Sequence, residues 1–133
     1  LGVEVYVENT RNNDHLNYVL ENIDHPRLGF CYDSSHDLLH SETPGKILER
    51  WKHRLMMTHI SDNDGFTDTH ILPESFDSQD WNSITRAFPE EVTEDRISLE
   101  VLQSDNDSTQ SDTFLKNAYK KADELFRRLK SRV

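Results

Sequence analysis

The segment from His59 to His70, HISDNDGFTDTH, holds two histidines and three aspartates within twelve residues. Imidazole nitrogens and carboxylate oxygens together form the mixed sites that bind Mn, Zn, Mg or Fe as divalent ions. In a chain with 25 acidic residues, such a segment can equally be a solvated loop. The elements that position these side chains must therefore decide between a metal site and an acidic surface loop.

Ligand-type side chains also stand at the carboxyl ends of the predicted strands. Glu8 ends the first strand, Asp33 ends the second with His36 three residues on, His59 lies near the end of the third, and Glu100 lies late in the fourth. The carboxyl ends of parallel strands meet at one edge of a sheet, where active sites assemble. A carboxylate in an apolar strand needs a compensating cation or hydrogen bonds. The pattern favours a shared divalent metal over four separate salt bridges.

The elements themselves are predicted from the pattern of apolar residues. Short runs rich in β-branched and aromatic residues indicate strands, and apolar residues that recur every three or four positions indicate helices. Strands are predicted at 2–8, 28–32, 55–60 and 96–102, and helices at 14–23, 44–51, 81–88 and 111–130, with a polar loop at 103–112. Four consecutive βα units predict an α/β fold with a parallel sheet covered by helices.

Length and composition narrow the class of protein. A chain of 133 residues is long enough for one domain with a core. The net charge of -10 argues against a nucleic-acid partner, because backbone phosphates require a basic face. The single Cys31 excludes a disulfide framework and is expected to be a buried thiol. No run approaches the roughly 18 apolar residues of a membrane span, and no leader opens the chain. We expect a cytoplasmic protein without a membrane partner.

Several short motifs occur in a specific order along these elements. They are E-N after the first strand, D-S-S-H after the second, THISDNDGFTDTHILP at the third, D-W before a helix, and S-L-E-V in the fourth strand. Over residues 8–101 this series resembles the C-terminal half of the xylose isomerase-like TIM-barrel superfamily. That superfamily includes sugar and sugar-phosphate isomerases and epimerases, inosose dehydratase-type enzymes and endonuclease IV-type AP endonucleases.

The resemblance implies a single domain over 1–133, organised as the C-terminal half of a TIM (β/α)8 barrel whose N-terminal half is absent. The chain begins inside an apolar strand-like run, which agrees with a missing upstream segment. A half-barrel leaves two open sheet edges, which are prone to aggregation unless they are paired. We therefore expect the missing N-terminal half-barrel, or a homodimer, as the partner that closes the sheet.

The resemblance also assigns roles to the residues at the strand ends. Glu8, Asp33, His59 and Glu100 correspond to the central metal ligands, and Glu8 and Glu100 also act as catalytic residues that transfer a proton beside a carbonyl. His36 resembles a substrate-binding residue next to the metal. These roles imply a metal-dependent isomerase or epimerase whose substrate is a sugar or sugar phosphate.

A second set of residues keeps other functions open. His36, Asp68 and His70 resemble the additional metal site of the endonuclease-type members, so an endonuclease IV-like phosphodiesterase is the alternative enzyme. A catalytically silent metal-binding fragment is the alternative outside enzymes. The segment after Pro73 lacks the Pro-Gly-x-Gly stretch of many family members, which weakens the expectation of a phosphate-bearing substrate. Residues 62–65 have the composition of a turn.

Overall fold

A computed structural model describes residues 2–103 and 110–132 of the chain. The strands are β1 (Val5–Glu8), β2 (Leu28–Asp33) and β3 (Leu55–His59); the helices are α1 (Asp14–Asn22), α2 (Ser34–His40), α3 (Lys46–Trp51), α4 (Gln79–Ala87) and α5 (Ser111–Lys130), with 3-10 turns at Lys52–Arg54 and Glu94–Arg96. Most of the polar loop predicted at 103–112 lies outside the described residues.

The three strands form a parallel sheet in the order β1-β2-β3. Glu8 pairs with Cys31, and Asp33 pairs with His59. Successive residues of a strand point to opposite faces. Phe30 and Tyr32 of β2 are completely buried in the hydrophobic core, so Cys31 and Asp33 lie on the other face. In a complete TIM barrel, that face would line the interior.

Helices cover the core face of the sheet. Tyr32 packs edge-on against Phe88, with ring centroids 6.2 Å apart. Trp81 of α4 and Leu125 of α5 are buried in the same cluster. The helix predicted at 111–130 is confirmed with those bounds. Among the helices of the described residues, none is long and apolar enough to cross a bilayer.

The α/β fold with a parallel sheet is confirmed, but four βα units are not confirmed among the described residues, because the fourth predicted strand does not join the sheet as a regular strand. It makes one isolated parallel bridge, between Ile60 and Leu99. The amide of Ile60 donates to Ser98 O at 2.8 Å, and the amide of Glu100 donates to Ile60 O at 3.2 Å. These two hydrogen bonds place Glu100 beside the end of β3.

A side chain explains why the ladder stops there. The amide of Ser98 donates to the Thr58 hydroxyl at 3.0 Å, and that hydroxyl lies 3.0 Å from the carbonyl of Arg96. These groups are therefore not paired with the backbone of β3. On the other side, the amide of Leu102 donates to the carbonyl of His70 at 2.8 Å, which draws the chain into the loop after β3.

Helix α2 is an element that the periodicity of the sequence did not predict. It begins directly after β2, because Asp33 Oδ1 accepts a hydrogen bond from the amide of His36 at 2.8 Å and so acts as the N-cap. Asp37 anchors the helix from within the core, since Tyr32 Oη and the amide of Gly45 donate to its carboxylate at 2.8 and 2.7 Å. His36 consequently lies in the first turn of a helix rather than in a loop.

Candidate metal centre

Side chains from the three strands and from the segment after α4 converge on one ring nitrogen. His59 Nδ1 lies 3.0 Å from Glu8 Oε2 and 3.0 Å from Glu100 Oε2. The other oxygen of Glu8 lies 3.1 Å from His36 Nδ1. Asp33 Oδ2 lies 3.8 Å from His36 Nδ1 and 4.0 Å from His59 Nδ1. The five residues that we predicted at the strand ends are thus neighbours in space.

The ligand atoms are close enough to share an ion. Three overlapping groups have ligand atoms within 4.8 Å of one another: Glu8 with Cys31 and His59, Glu8 with Asp33 and His36, and Asp33 with His59 and Glu100. Metal–ligand bonds of about 2.0–2.6 Å require spacings of this order between neighbouring ligands. Glu100 takes part although its strand is not formed, because the hydrogen bond to Ile60 holds its backbone at the edge of β3.

Two buried atoms at the centre lack hydrogen-bond partners. Asp33 is completely buried, and its Oδ2 has no donor, whereas its Oδ1 caps α2. His59 Nδ1 is also without a hydrogen bond, although Glu8 Oε2 and Glu100 Oε2 each lie 3.0 Å away. A buried carboxylate oxygen without a donor is costly unless a cation compensates it. The centre therefore fits a divalent ion held by carboxylate oxygens and imidazole nitrogen.

Asn9 fixes the relative positions of the strand ends, and sequence reasoning gave it no role. Its fully buried amide group donates from Nδ2 to Asp33 O at 2.8 Å and accepts from the amide of Asp33 at 2.7 Å. The backbone carbonyl of Asn9 accepts a hydrogen bond from His36 Nδ1 at 2.9 Å. This double contact holds the end of β1, and with it Glu8, against the end of β2. The signal in the sequence was an amide directly after Glu8.

The loop after β3 closes over the centre through Asp68. Asp68 Oδ2 lies 2.9 Å from His36 Nε2 and 3.2 Å from His70 Nε2. Its other oxygen accepts a hydrogen bond from Ser35 Oγ at 2.5 Å, a contact that sequence reasoning missed. His70 has a φ of 49°, a conformation that non-glycine residues rarely adopt and that clusters at functional sites. One carboxylate oxygen of Asp68 thus contacts both imidazole rings.

The predicted turn within this loop is confirmed. Asn63 Oδ1 accepts from the amide of Gly65, and Asp64 Oδ1 accepts from the amides of Phe66 and Thr67. Gly65 has a φ of 80°, which glycine adopts at little cost. These residues hold the shape of the loop, while Asp68 and His70 reach the centre.

The close contacts shift the protonation equilibria of the centre. The pKa of His36 is raised from 6.5 to about 10, mainly because the ring donates a hydrogen bond to the Glu8 carboxylate. The same contact holds the pKa of Glu8 below its ordinary value. Burial raises the pKa of Asp33. Burial also raises the pKa of the Cys31 thiol to about 12, with Glu8 and Asp33 adding to the shift.

The raised pKa of His36 predicts a pH dependence of stability in the metal-free protein. A group whose pKa is higher in the folded state stabilises the fold in its protonated form. This contribution is complete below pH 6.5 and is lost as the pH rises towards about 10. We expect the free energy of unfolding to fall over that range, and to fall less in His36→Gln.

Urea unfolding of both proteins at the two ends of the range measures the difference. His15→Gln, on the exposed face of α1, is the matched control and is expected to follow the wild type. A loss of stability of equal size in wild type and His36→Gln would remove His36 as the cause.

Comparisons with known proteins agree with an α/β fold of the TIM-barrel type. A family model described as a xylose isomerase-like TIM barrel matches residues 1–131. The uncharacterised protein y4fM of Sinorhizobium fredii (strain NBRC 101917 / NGR234) is 50% identical over 64 residues, which are 45% of this chain and 19% of that protein. The match thus spans about a fifth of that relative's length. No solved structure matches the chain significantly. Because the family model covers nearly the whole chain, the chain belongs to the xylose isomerase-like TIM barrel family.

Proposed function

We propose that the chain carries the divalent-metal centre of a sugar or sugar-phosphate isomerase or epimerase. The observation that supports this function is the convergence of Glu8, Asp33 and Glu100 around His59 Nδ1, with the buried Asp33 Oδ2 left without a donor. Members of the family often bind divalent metals and act on small sugar-like molecules. The donor set suits Mn, Zn, Mg or Fe as a divalent ion.

The positions of the two glutamates support a role for both in proton transfer. Glu8 and Glu100 approach His59 Nδ1 with one oxygen each at 3.0 Å. The lowered pKa of Glu8 keeps it ionised at neutral pH, so it can accept a proton from the carbon beside a carbonyl while Glu100 returns one. A bound divalent ion supplies polarisation of the substrate oxygens. His36 is the proposed substrate contact in the same space; because its Nδ1 faces Asn9 O and Glu8 and its Nε2 faces Asp68, it would give up one of these partners to bind a substrate oxygen.

Elemental analysis of size-exclusion fractions of known mass tests the metal centre. After incubation with Mn, Zn, Mg and Fe salts in turn, we expect about one ion per chain, because the three groups of ligand atoms overlap in one place. The mass of the metal-bearing fraction also reports the assembly. A chain that binds none of these ions in any fraction contradicts the proposal.

The open sheet leads us to propose a partner that completes the barrel. β1 is at the edge of the sheet; its first residue, Val5, is 55% exposed, and Val3 just before it is 65% exposed. A TIM barrel has eight strands and therefore no edges. The partner is an N-terminal half-barrel or a second copy of the chain, and the size-exclusion mass distinguishes a dimer from a monomer.

An endonuclease IV-like phosphodiesterase is the second candidate, favoured by one contact. Asp68 contacts both His36 and His70, and these are the three residues that resemble the additional metal site of the endonuclease-type members. The net charge of -10 weighs against DNA as the substrate, because it repels the phosphate backbone. The sugar isomerase remains the function that the centre supports best.

The number of ions per chain distinguishes the two candidates. If a second ion is bound, the double variant Asp68→Ala with His70→Ala loses it and keeps the first, because neither residue belongs to the closely spaced groups. The matched control is Asp24→Ala with His15→Ala, which removes the same two residue types from exposed positions outside this loop. Elemental analysis gives both numbers. An unchanged content in the first variant assigns Asp68 and His70 to the structure of the loop.

A further inference from the structure

The single thiol of the chain lies at the inner side of the candidate metal centre. Cys31 is a free cysteine, only 3% exposed. It pairs with Glu8 on β1 and with Met57 on β3. Because side chains alternate along β2, its sulfur lies on the same face of the sheet as Asp33, opposite the core residues Phe30 and Tyr32.

The sulfur is within reach of the same ligands that form the centre. Cys31 Sγ, a Glu8 oxygen and a His59 nitrogen all lie within 4.8 Å of one another. A structural cysteine normally packs among apolar side chains, whereas this one has a carboxylate as its partner on the neighbouring strand. Sγ is therefore placed like a ligand atom rather than like a core methyl group.

Independent observations show that this space is prepared for a cation. The carboxylate of Asp33, two residues further along β2, is completely buried and presents Oδ2 without a donor. His59 Nδ1 is likewise without a hydrogen bond, and His59 belongs both to the group with Cys31 and to the group with Asp33. An ion bound to His59 would therefore lie near the thiol and near the buried carboxylate.

We propose that Cys31 Sγ is a ligand of the metal centre, and that it makes the centre selective for thiophilic ions such as Zn²⁺ and Co²⁺ over Mg²⁺ and Mn²⁺. This inference rests on the proposed metal centre. A thiolate is a soft ligand that zinc-group ions accept and that magnesium does not. The sulfur–metal bond forms as the thiol proton leaves to solvent, with no change in oxidation state. The resident ion is then a thiophilic one.

Cobalt spectroscopy of the whole chain separates this inference from the proposal on which it rests. Visible d–d absorption of bound Co²⁺ reports that an ion is coordinated, and a near-ultraviolet sulfur-to-cobalt charge-transfer band reports that a thiolate is among its ligands. We expect both signals from the wild type, with the metal-free and Zn²⁺-loaded proteins as baselines. We expect Cys31→Ser to keep the d–d bands and to lose the charge-transfer band.

The affinities for Zn²⁺ and Mn²⁺ give a second readout. Replacing a cysteine with a purely structural role would not weaken the binding of one ion more than that of the other. Loss of a ligand lowers metal affinity by about tenfold or more, so Cys31→Ser and Cys31→Ala should bind Zn²⁺ at least that much more weakly. Their affinity for Mn²⁺ should stay close to that of the wild type, because the carboxylates and His59 remain.

Each other outcome overturns a defined part of the argument. Co²⁺ d–d bands without a charge-transfer band in the wild type overturn the role of Cys31 and leave the metal centre intact. The absence of both signals overturns the metal centre itself. Equal losses of Zn²⁺ and Mn²⁺ affinity in both variants assign Cys31 a packing role. The wild-type spectrum decides the question even if a variant fails to fold.

Discussion

Replacement of Asp33 by asparagine is expected to lower the affinity for the divalent ion by about 10- to 100-fold or more. The side chain keeps its volume, and its remaining oxygen can still accept the hydrogen bond from the amide of His36 that begins α2. The variant loses the negative charge of Oδ2, the buried oxygen without a donor. Isothermal titration of Zn²⁺ and Mn²⁺ into the metal-free proteins measures the loss.

The same variant is expected to be more stable than the wild type when no metal is bound. Burial raises the pKa of Asp33, which means that its ionised form is disfavoured in the folded state at neutral pH. Asparagine removes that buried charge. A gain in the free energy of unfolding together with a loss of metal affinity identifies a residue kept for binding an ion rather than for folding.

Asp37→Asn is the matched control for this experiment. Asp37 is also buried and lies in the helix that Asp33 caps, but its carboxylate accepts hydrogen bonds from Tyr32 and Gly45 and faces the core. Burial raises the pKa of Asp37 as well, so metal affinity separates the two variants, and we expect Asp37→Asn to keep the wild-type value. If Asp33→Asn binds the ion as tightly as the wild type does, the centre proposed at the ends of the strands does not exist.

Replacement of Glu8 by glutamine is expected to lower the rate of proton transfer by about 10²- to 10⁴-fold, the usual contribution of a general acid or base. Glutamine occupies the same volume and preserves an oxygen near His36, but it cannot accept the proton of a substrate carbon. The effect on kcat should therefore exceed the effect on the fold. The measurement is exchange of substrate hydrogen with solvent deuterium by NMR, with ketoses and ketose phosphates as substrates, in the oligomeric state that shows turnover.

Two further variants make the result specific. Glu100→Gln should cause a loss of similar size, because Glu100 approaches His59 as closely as Glu8 does. Glu90→Gln, exposed and distant in sequence from the strand ends, should leave the exchange unchanged. Undiminished exchange in Glu8→Gln on an identified substrate rules out the two-glutamate reaction while leaving the metal site to be judged by the titrations.

The elements with a clear period could be predicted from the sequence because local propensity and tertiary packing agree there. α5 has apolar residues at helical spacing over its whole length, and its predicted bounds match the observed ones. β2 was predicted from a short apolar run, and the structure extends it by one residue to Asp33. α2 was missed because its beginning depends on a capping carboxylate rather than on a long apolar stripe.

The fourth predicted strand shows where local pattern is insufficient. Its alternation of apolar residues is typical of a strand, yet it joins the described sheet by a single bridge between Ile60 and Leu99. The hydroxyl of Thr58 occupies the amide of Ser98, which regular pairing would require. Such a contact between residues 40 positions apart has no signature in either segment, so only the folded chain decides it.

The sequence by itself determined which ligand types stand at the ends of the strands, because parallel strands bring their carboxyl ends to one edge whatever the details of packing. Only the tertiary structure decided how those residues meet. It placed Glu8 and Glu100 at equal distance from His59, left an oxygen of Asp33 without a donor, and brought Cys31 to the same space. Distances and missing hydrogen bonds depend on register and burial, which residue types and spacing do not specify.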